Sequence, residues 1–379
     1  MKKPALFFVI LLSLGTALGA QGNPGYYEVI FSEGAGVQER AEIAAAYSKE
    51  LELRFNAYNS VFRFNPALLS SPLRVRIITG KSEYDTYISA RLGSPRAGAV
   101  YLHYRSPANR ELVIHRGSEE EQRLIPHQAF IQFLRAFIPD PPIWIREGFA
   151  VYFNTLFYDQ AKQSLVHEEN LNWLDTVKRI SINPETVFLA DSTFPNMQSS
   201  SWSLVSFFMA DKNNVYYRSM TDSFMILAAG ASARQNAQAV YQRLILFNPI
   251  ADITRDYRTY IAGKKTFFEL IEEGQKAYGD KNFAIAGDLF RKAAALKWDH
   301  FASYYYLGLL AYEDKKYIEA EAYYKTALDH GAENAMIQYA RGVNAAAQGK
   351  KAEALVFLQE AAVAEKYRDR SNELIRRLQ

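Results

Sequence analysis

The early part of the chain switches between two hydrophobic periods. Tyr27–Phe31 reads as a short strand. Residues 38–55 space their apolar side chains at helical intervals and predict an amphipathic helix. Residues 73–79 (LRVRIIT) alternate with period two, the pattern of a half-buried strand. Residues 82–92 predict a helix with Ser82 as N-cap, and residues 97–103 and 111–115 predict two strands joined by a polar turn. From Ser118 onward the pattern turns helical, and Ser118 and Glu121 have the spacing of a capping box. Pro126 falls inside the next apolar-periodic segment, where it should kink a helix or restart it. Pro139, Asp140, Pro141 and Pro142 mark a turn between two helices. The run Ser199, Ser200, Ser201 precedes an apolar stretch and reads as a helix cap. The expected fold class is α+β followed by all-α.

The last third carries a second, longer period. Gly274, Gly308 and Gly342 are 34 residues apart, as are Ala286, Ala320 and Ala354, and Ala293, Ala327 and Ala361. Phe290, Tyr324 and Leu358 keep the same phase. Small residues at fixed offsets mark where two helices approach closely, and the larger ones fill the gap between neighbouring hairpins. A 34-residue period of this kind resembles the tetratricopeptide repeat (TPR) family. The best match, residues 304–328, has Leu307, Gly308, Tyr317, Ala320, Tyr324 and Ala327 in place. Ala311 stands where an aromatic is usual, and the closing proline is absent after each repeat. Arg341 and Lys351 in the third repeat suggest a terminal repeat with a more solvated face, followed by a short capping helix over 369–379. The resemblance implies a helical-hairpin solenoid over 266–379 whose first helices line a concave groove. Its residues would be Ile271, Gln275, Tyr278, Tyr305, Leu309, Tyr312, Tyr339 and Val343, an apolar, tyrosine-rich surface for another protein or a peptide segment. The same residues would otherwise pack on the preceding domain or the capping helix.

A second resemblance lies in the stretch IPHQAFIQFLRAFIPDPPIWIREGFAVYF, residues 125–153. A helix opening on His127, a proline turn, and then Trp144, Glu147, Gly148, Ala150 and Tyr152 resemble the core of the peptidase MA-like family, a gluzincin branch of metallopeptidases. It implies a zincin-like domain, a small mixed sheet plus helices, over 23–262. Such a site needs two histidines one helical turn apart, a glutamate after the first, and a third ligand from the next helix. His127 stands at the first ligand position and Glu147 at the third, but Gln128 replaces the catalytic glutamate and Ile131 the second histidine. Gln has no titratable carboxylate to act as general base, and Ile cannot bind zinc. The expectation is a degenerate domain, no catalytic residues and no cofactor, with His127 left half-buried and bonded to Glu147. Arg146 reads as a solvated or salt-bridged helix charge. The alternative is a zinc-dependent peptidase whose atypical metal site joins His127 and Glu147 to a distant ligand from His103, His115, His167, Glu168 or Glu169.

Composition narrows these readings. The chain has 379 residues, enough for two or three domains, and 49% hydrophobic against 22% charged residues, a globular balance. The formal net charge is +3, and two of those charges are Lys2 and Lys3, so no nucleic-acid partner is expected. Lys2 and Lys3, an apolar run over 5–14, and small residues at Ala17, Gly19 and Ala20 form a signal peptide over 1–20, with an uncleaved anchor as the other reading. The absence of Cys excludes disulfides and a lipid anchor on cysteine. The expected protein is an exported, periplasmic, non-catalytic protein-binding scaffold with no transmembrane segment after signal cleavage. Besides the atypical peptidase, a structural protein of the bacterial cell envelope is the remaining alternative.

Overall fold

A computed structural model describes residues 25–31, 37–118, 120–159 and 161–379, with the side chains of residues 37, 38 and 122 set aside. The expected leader over 1–20 lies outside the described residues. The described chain forms two compact units, one ending at Gly263 and one running from Lys264 to Gln379. No described helix is long and apolar enough to cross a membrane.

The first unit runs β1 (Tyr27–Phe31), α1 (Val37–Phe62), β2 (Leu73–Ile78), α2 (Lys81–Leu92), β3 (Ala99–Leu102), β4 (Glu111–His115), α3 (Glu121–Phe137) and α4 (Ile143–Phe153). A hairpin follows, β5 (Leu156–Asp159) and β6 (Ser164–His167), and then α5 (Leu174–Ile180), α6 (Pro184–Phe188), α7 (Met197–Met209), α8 (Val215–Phe224), α9 (Ala233–Phe247) and α10 (Ile250–Gly263). The sheet is mixed, in the order β1-β2-β4-β3: β1, β2 and β4 are parallel, and β3 runs antiparallel on the edge. One face of the sheet packs on α2 through Ile78, Tyr84, Ile88, Leu102 and Val113. The other meets an aromatic core shared by α1, α3 and α4. There the Tyr58 and Phe153 rings lie 4.8 Å apart, Phe62 and Phe149 5.0 Å, and Phe130 and Phe153 5.3 Å.

Several local expectations change. Helix α1 runs seven residues beyond its expected end, because Tyr58, Val61 and Phe62 keep burying apolar area. It stops at Arg63, in the left-handed region at φ 55°. Gly80, not Ser82, caps α2. The Ser118–Glu121 capping box does not form: the Glu121 carboxylate accepts instead from the Gly117 N–H at 2.6 Å and from the Tyr47 hydroxyl. Helix α3 continues through Pro126, whose carbonyl accepts the buried Tyr58 hydroxyl at 3.0 Å. The β5–β6 hairpin interrupts a region expected to be almost all helix. Its four-residue strands are too short to signal themselves by alternation, and buried Arg54 anchors them by donating to the Leu156 carbonyl.

The serine run is inside α7, not at its cap. Ser199, Ser200, Ser201 and Ser203 are all buried where α7 crosses α4. Small side chains let the two backbones approach. Two of the hydroxyls bond back into their own helix, Ser199 to the Asn196 carbonyl (3.0 Å) and Ser203 to that of Ser200 (2.8 Å).

The second unit is three antiparallel helix pairs and a final helix: α11 (Phe267–Gly279) with α12 (Phe283–Leu296), α13 (Phe301–Glu313) with α14 (Tyr317–Asp329), α15 (Asn334–Ala347) with α16 (Lys351–Ala362), then α17 (Glu365–Leu378). Each of Gly274, Gly308 and Gly342 faces the large side chain of its partner helix, Phe290, Tyr324 and Leu358. The turns repeat in phase: Lys281, Lys315 and Gly349 take φ of 58°, 60° and 74°, and the next N–H returns to Ala277, Ala311 or Ala345. Ala311, where an aromatic is usual, is buried beside the Tyr324 ring. Thr266 and Glu269 close a capping box at the head of α11. The expected solvated face at Arg341 is not seen. Its side chain is only 14% exposed, paired with Glu321 at 2.8 Å and lying over the Phe357 ring. Helix α17 starts four residues before the expected cap, because Tyr367 is buried against the last hairpin.

Candidate functional site

The positions assigned to zinc chemistry are brought close together on α3 and α4 but are bonded elsewhere. Gln128 turns to the sheet, where its Oε1 accepts the Tyr101 N–H of edge strand β3 at 3.0 Å. Ile131 packs at the margin of the aromatic core. Glu147 accepts from Arg146 Nε at 2.8 Å and from Gln198 Nε2, on α7, at 3.3 Å. The expected His127–Glu147 hydrogen bond is replaced by these two: a guanidinium already charged at neutral pH outcompetes a neutral imidazole for the carboxylate. His127 stays within the field of Glu147 and against the Ala150 backbone. Its pKa is held below the ordinary histidine value, first by burial, with Glu147 opposing and Arg146 assisting.

The other histidines have local partners as well. His103 Nδ1 lies 3.3 Å from the Tyr101 hydroxyl, and His115 stacks on Tyr84 at 5.1 Å. His167 stacks on Tyr152 at 4.3 Å with its Nε2 3.2 Å from the Tyr152 carbonyl. His300 caps α13 and His330 stacks on Tyr304. Among the described residues, no three His, Asp or Glu side chains converge as a metal would require. A site rebuilt from His127, Glu147 and a distant ligand finds no third donor in place there.

No family model matches this chain, and no curated protein matches it. Its chemistry is therefore read from its own side chains.

Burial gives the imidazoles a measurable effect. His127 and His167 are both pushed down chiefly by burial, and His103 to about 4 by burial and by Arg135 and Arg110. The folded chain therefore binds fewer protons than the unfolded one across this range. The stability these groups contribute is complete above about pH 6.5, their unfolded value, and is lost as pH falls toward their folded values. The denaturation midpoint should fall between pH 7 and 5 more steeply in the wild type than in a His127→Gln/His167→Asn variant. Equal slopes would refute the buried-neutral assignment.

The expected groove residues divide by burial. Ile271 is core between α11 and α12 and presents no surface to a partner. Gln275 is exposed beside the Tyr306 hydroxyl, and Tyr278 donates to Glu313 at 3.2 Å. Tyr305, Leu309, Tyr312 and Val343 are half-buried along α13 and α15. Tyr339 is half-buried too, with its ring 5.7 Å from that of Tyr367 on α17. The Tyr305 hydroxyl is pushed up to about 12 by burial, with Tyr367 contributing. The terminal helix thus covers one end of the row and leaves Gln275, Tyr278 and Tyr312 at the other. Glu313 and Tyr367 were not read as part of this surface, because both lie outside the spacing that defines it.

Proposed function

We propose that this chain is an exported, non-catalytic protein-binding scaffold. In this reading the second unit is a tetratricopeptide array of three hairpins plus a terminal helix. The first is a peptidase MA-like, zincin-like domain that has lost its chemistry. The observation that carries the proposal is the row of partly exposed aromatic side chains on successive first helices, Tyr278, Tyr305 and Tyr312. Tyrosine supplies large contact area at a low cost in side-chain entropy and is a frequent interface anchor. The bonding of Gln128 to Tyr101 and of Glu147 to Arg146 supports a domain kept for its surface rather than for hydrolysis.

Two measurements test the reading. Peptides selected from a display library on the purified chain should lose at least about tenfold in affinity with Tyr312→Ala, the size of a typical anchor. Binding that is indifferent to Tyr278, Tyr305 and Tyr312 would sink the groove. Metal analysis of wild type and His127→Ala should find no stoichiometric zinc in either. One zinc per chain that vanishes in the variant, with chelator-sensitive peptide hydrolysis, would establish the atypical peptidase instead. Reversible self-assembly in analytical ultracentrifugation would favour a structural role in the cell envelope.

A further inference from the structure

The open end of the tyrosine row holds one carboxylate. Tyr278, in the last turn of α11, donates its hydroxyl to Glu313 Oε1, at the end of α13, at 3.2 Å. Further rings stand around this contact. The Tyr278 ring lies 6.4 Å from that of Tyr306 and 5.5 Å from that of Phe283, and Tyr306 stacks on Phe290 at 4.7 Å. Tyr312 precedes Glu313 on α13, its ring 5.9 Å from that of Tyr317. Tyr278, Tyr306 and Tyr312 are half-buried, so each keeps part of its ring within reach of a ligand, and Glu313 is exposed beside them.

Glu313 is the exception in a neutral row. The 34-residue phase puts Gly279 and Ala347 at the same position of the first and third hairpins. Among the described residues, no lysine or arginine pairs with Glu313, and Lys316 on the adjoining turn is taken by Asp314 at 3.0 Å. A negative charge edged by aromatic rings has a definite complement. The carboxylate attracts a cation, and ring faces attract the same cation through their quadrupole. A guanidinium serves both at once, since it is planar, pairs with carboxylate oxygens through its N–H fork and lies flat on a ring. Oε1 already accepts from Tyr278, which leaves Oε2 for an incoming donor. A purely apolar segment would cover the carboxylate without pairing it, at a cost in desolvation.

We propose that the segment bound along the tyrosine row carries an arginine, seated against Glu313 and the Tyr278 ring. The inference rests on the scaffold reading for the groove and adds the chemistry of its occupant: a basic, not an acidic, peptide. The arginine lies at the end of the row that α17 leaves uncovered.

The test uses the whole purified chain with 3-fluorotyrosine in place of Tyr278 alone, so that one fluorine resonance reports the site. N-acetyl-arginine amide and its neutral isostere N-acetyl-citrulline amide are titrated separately at pH 7. The expected result is a saturable shift with the arginine probe, at least about tenfold weaker with the citrulline probe, the loss of a charge-assisted contact. Added sodium chloride should weaken the arginine response, because Glu313 is exposed. Glu313→Gln keeps an acceptor for the Tyr278 hydroxyl but not the charge, and it should also weaken the arginine probe at least about tenfold. Glu360→Gln, at an exposed position on α16, should leave it unchanged. Equal affinity for the two probes, no saturable shift with arginine, or undiminished affinity in Glu313→Gln would overturn the proposal. The display-selected peptides report separately on the scaffold. Selected peptides that depend on Tyr305 and Tyr312, beside a silent arginine probe, would sink this proposal and leave the scaffold standing. A saturable, Glu313-dependent arginine response with no peptide selected would uphold the cation site and count against the scaffold.

Discussion

Gly148→Ala should destabilise the first unit by at least about 2 kcal/mol, the cost of forcing extra volume into a filled core. A Cβ at this position would stand 2.6 Å from the Ser201 carbonyl oxygen and 2.8 Å from Val205 Cγ2. Neither neighbour can step aside. The Ser201 carbonyl belongs to the backbone of α7, and Val205 is fully buried. The helices would have to separate within the core in which Trp144, on α4, and Trp202, on α7, are both buried. Denaturant unfolding followed by tryptophan fluorescence reads this directly: the midpoint should drop with an unchanged slope. Gly230→Ala, where a Cβ meets nothing within 4 Å, is the control and should stay within about 0.5 kcal/mol. A Gly148→Ala protein as stable as that control would mean the α4–α7 crossing is looser than described.

The second large effect is expected at Gly308→Ala. Its Cβ would lie 2.5 Å from Cε1 and 2.7 Å from Cδ1 of Tyr324. Tyr324 is 1% exposed and packed among Ala311, Ala320 and Ala327, so the ring cannot swing away. A loss of about 2–3 kcal/mol from the second unit follows. The decisive measurement is a double-mutant cycle with Tyr324→Val, which removes the ring that the new methyl meets. Tyr324→Val alone should cost a few kcal/mol for the cavity it leaves. Together the two should cost less than their sum by about 1–2 kcal/mol, because each relieves the other. Strict additivity would show that the glycine is not the seat of the ring, and the same logic would then fail for Gly274 with Phe290 and Gly342 with Leu358.

Most of the second unit was legible because its signals are local. A helix pair joined by a short turn buries residues within a few tens of positions of each other. The 34-residue recurrence of Gly308 and Tyr324 therefore reports a contact directly. Where a distant partner intervened, the reading changed. Arg341 was expected to face solvent, and only the proximity of Glu321 and Phe357 shows why a charge is tolerated there. Tyr339 belonged to an open row until Tyr367 on α17 covered it.

In the first unit the sequence determined the early strands and helices. Period-two and helical patterns reflect which face a residue buries, and β2 alternates buried Leu73, Val75 and Ile77 with half-buried Arg74 and Arg76. The amino-acid order also determined that Gln128 and Ile131 stand where base and ligand would be needed, a matter of side-chain chemistry alone. Only the tertiary structure decided what those side chains do instead. Gln128 satisfies the edge of β3, and Glu147 is taken by Arg146 and Gln198. It also turned the polar serines of α7 into a buried crossing, because a serine that bonds its own helix carbonyl packs almost like alanine.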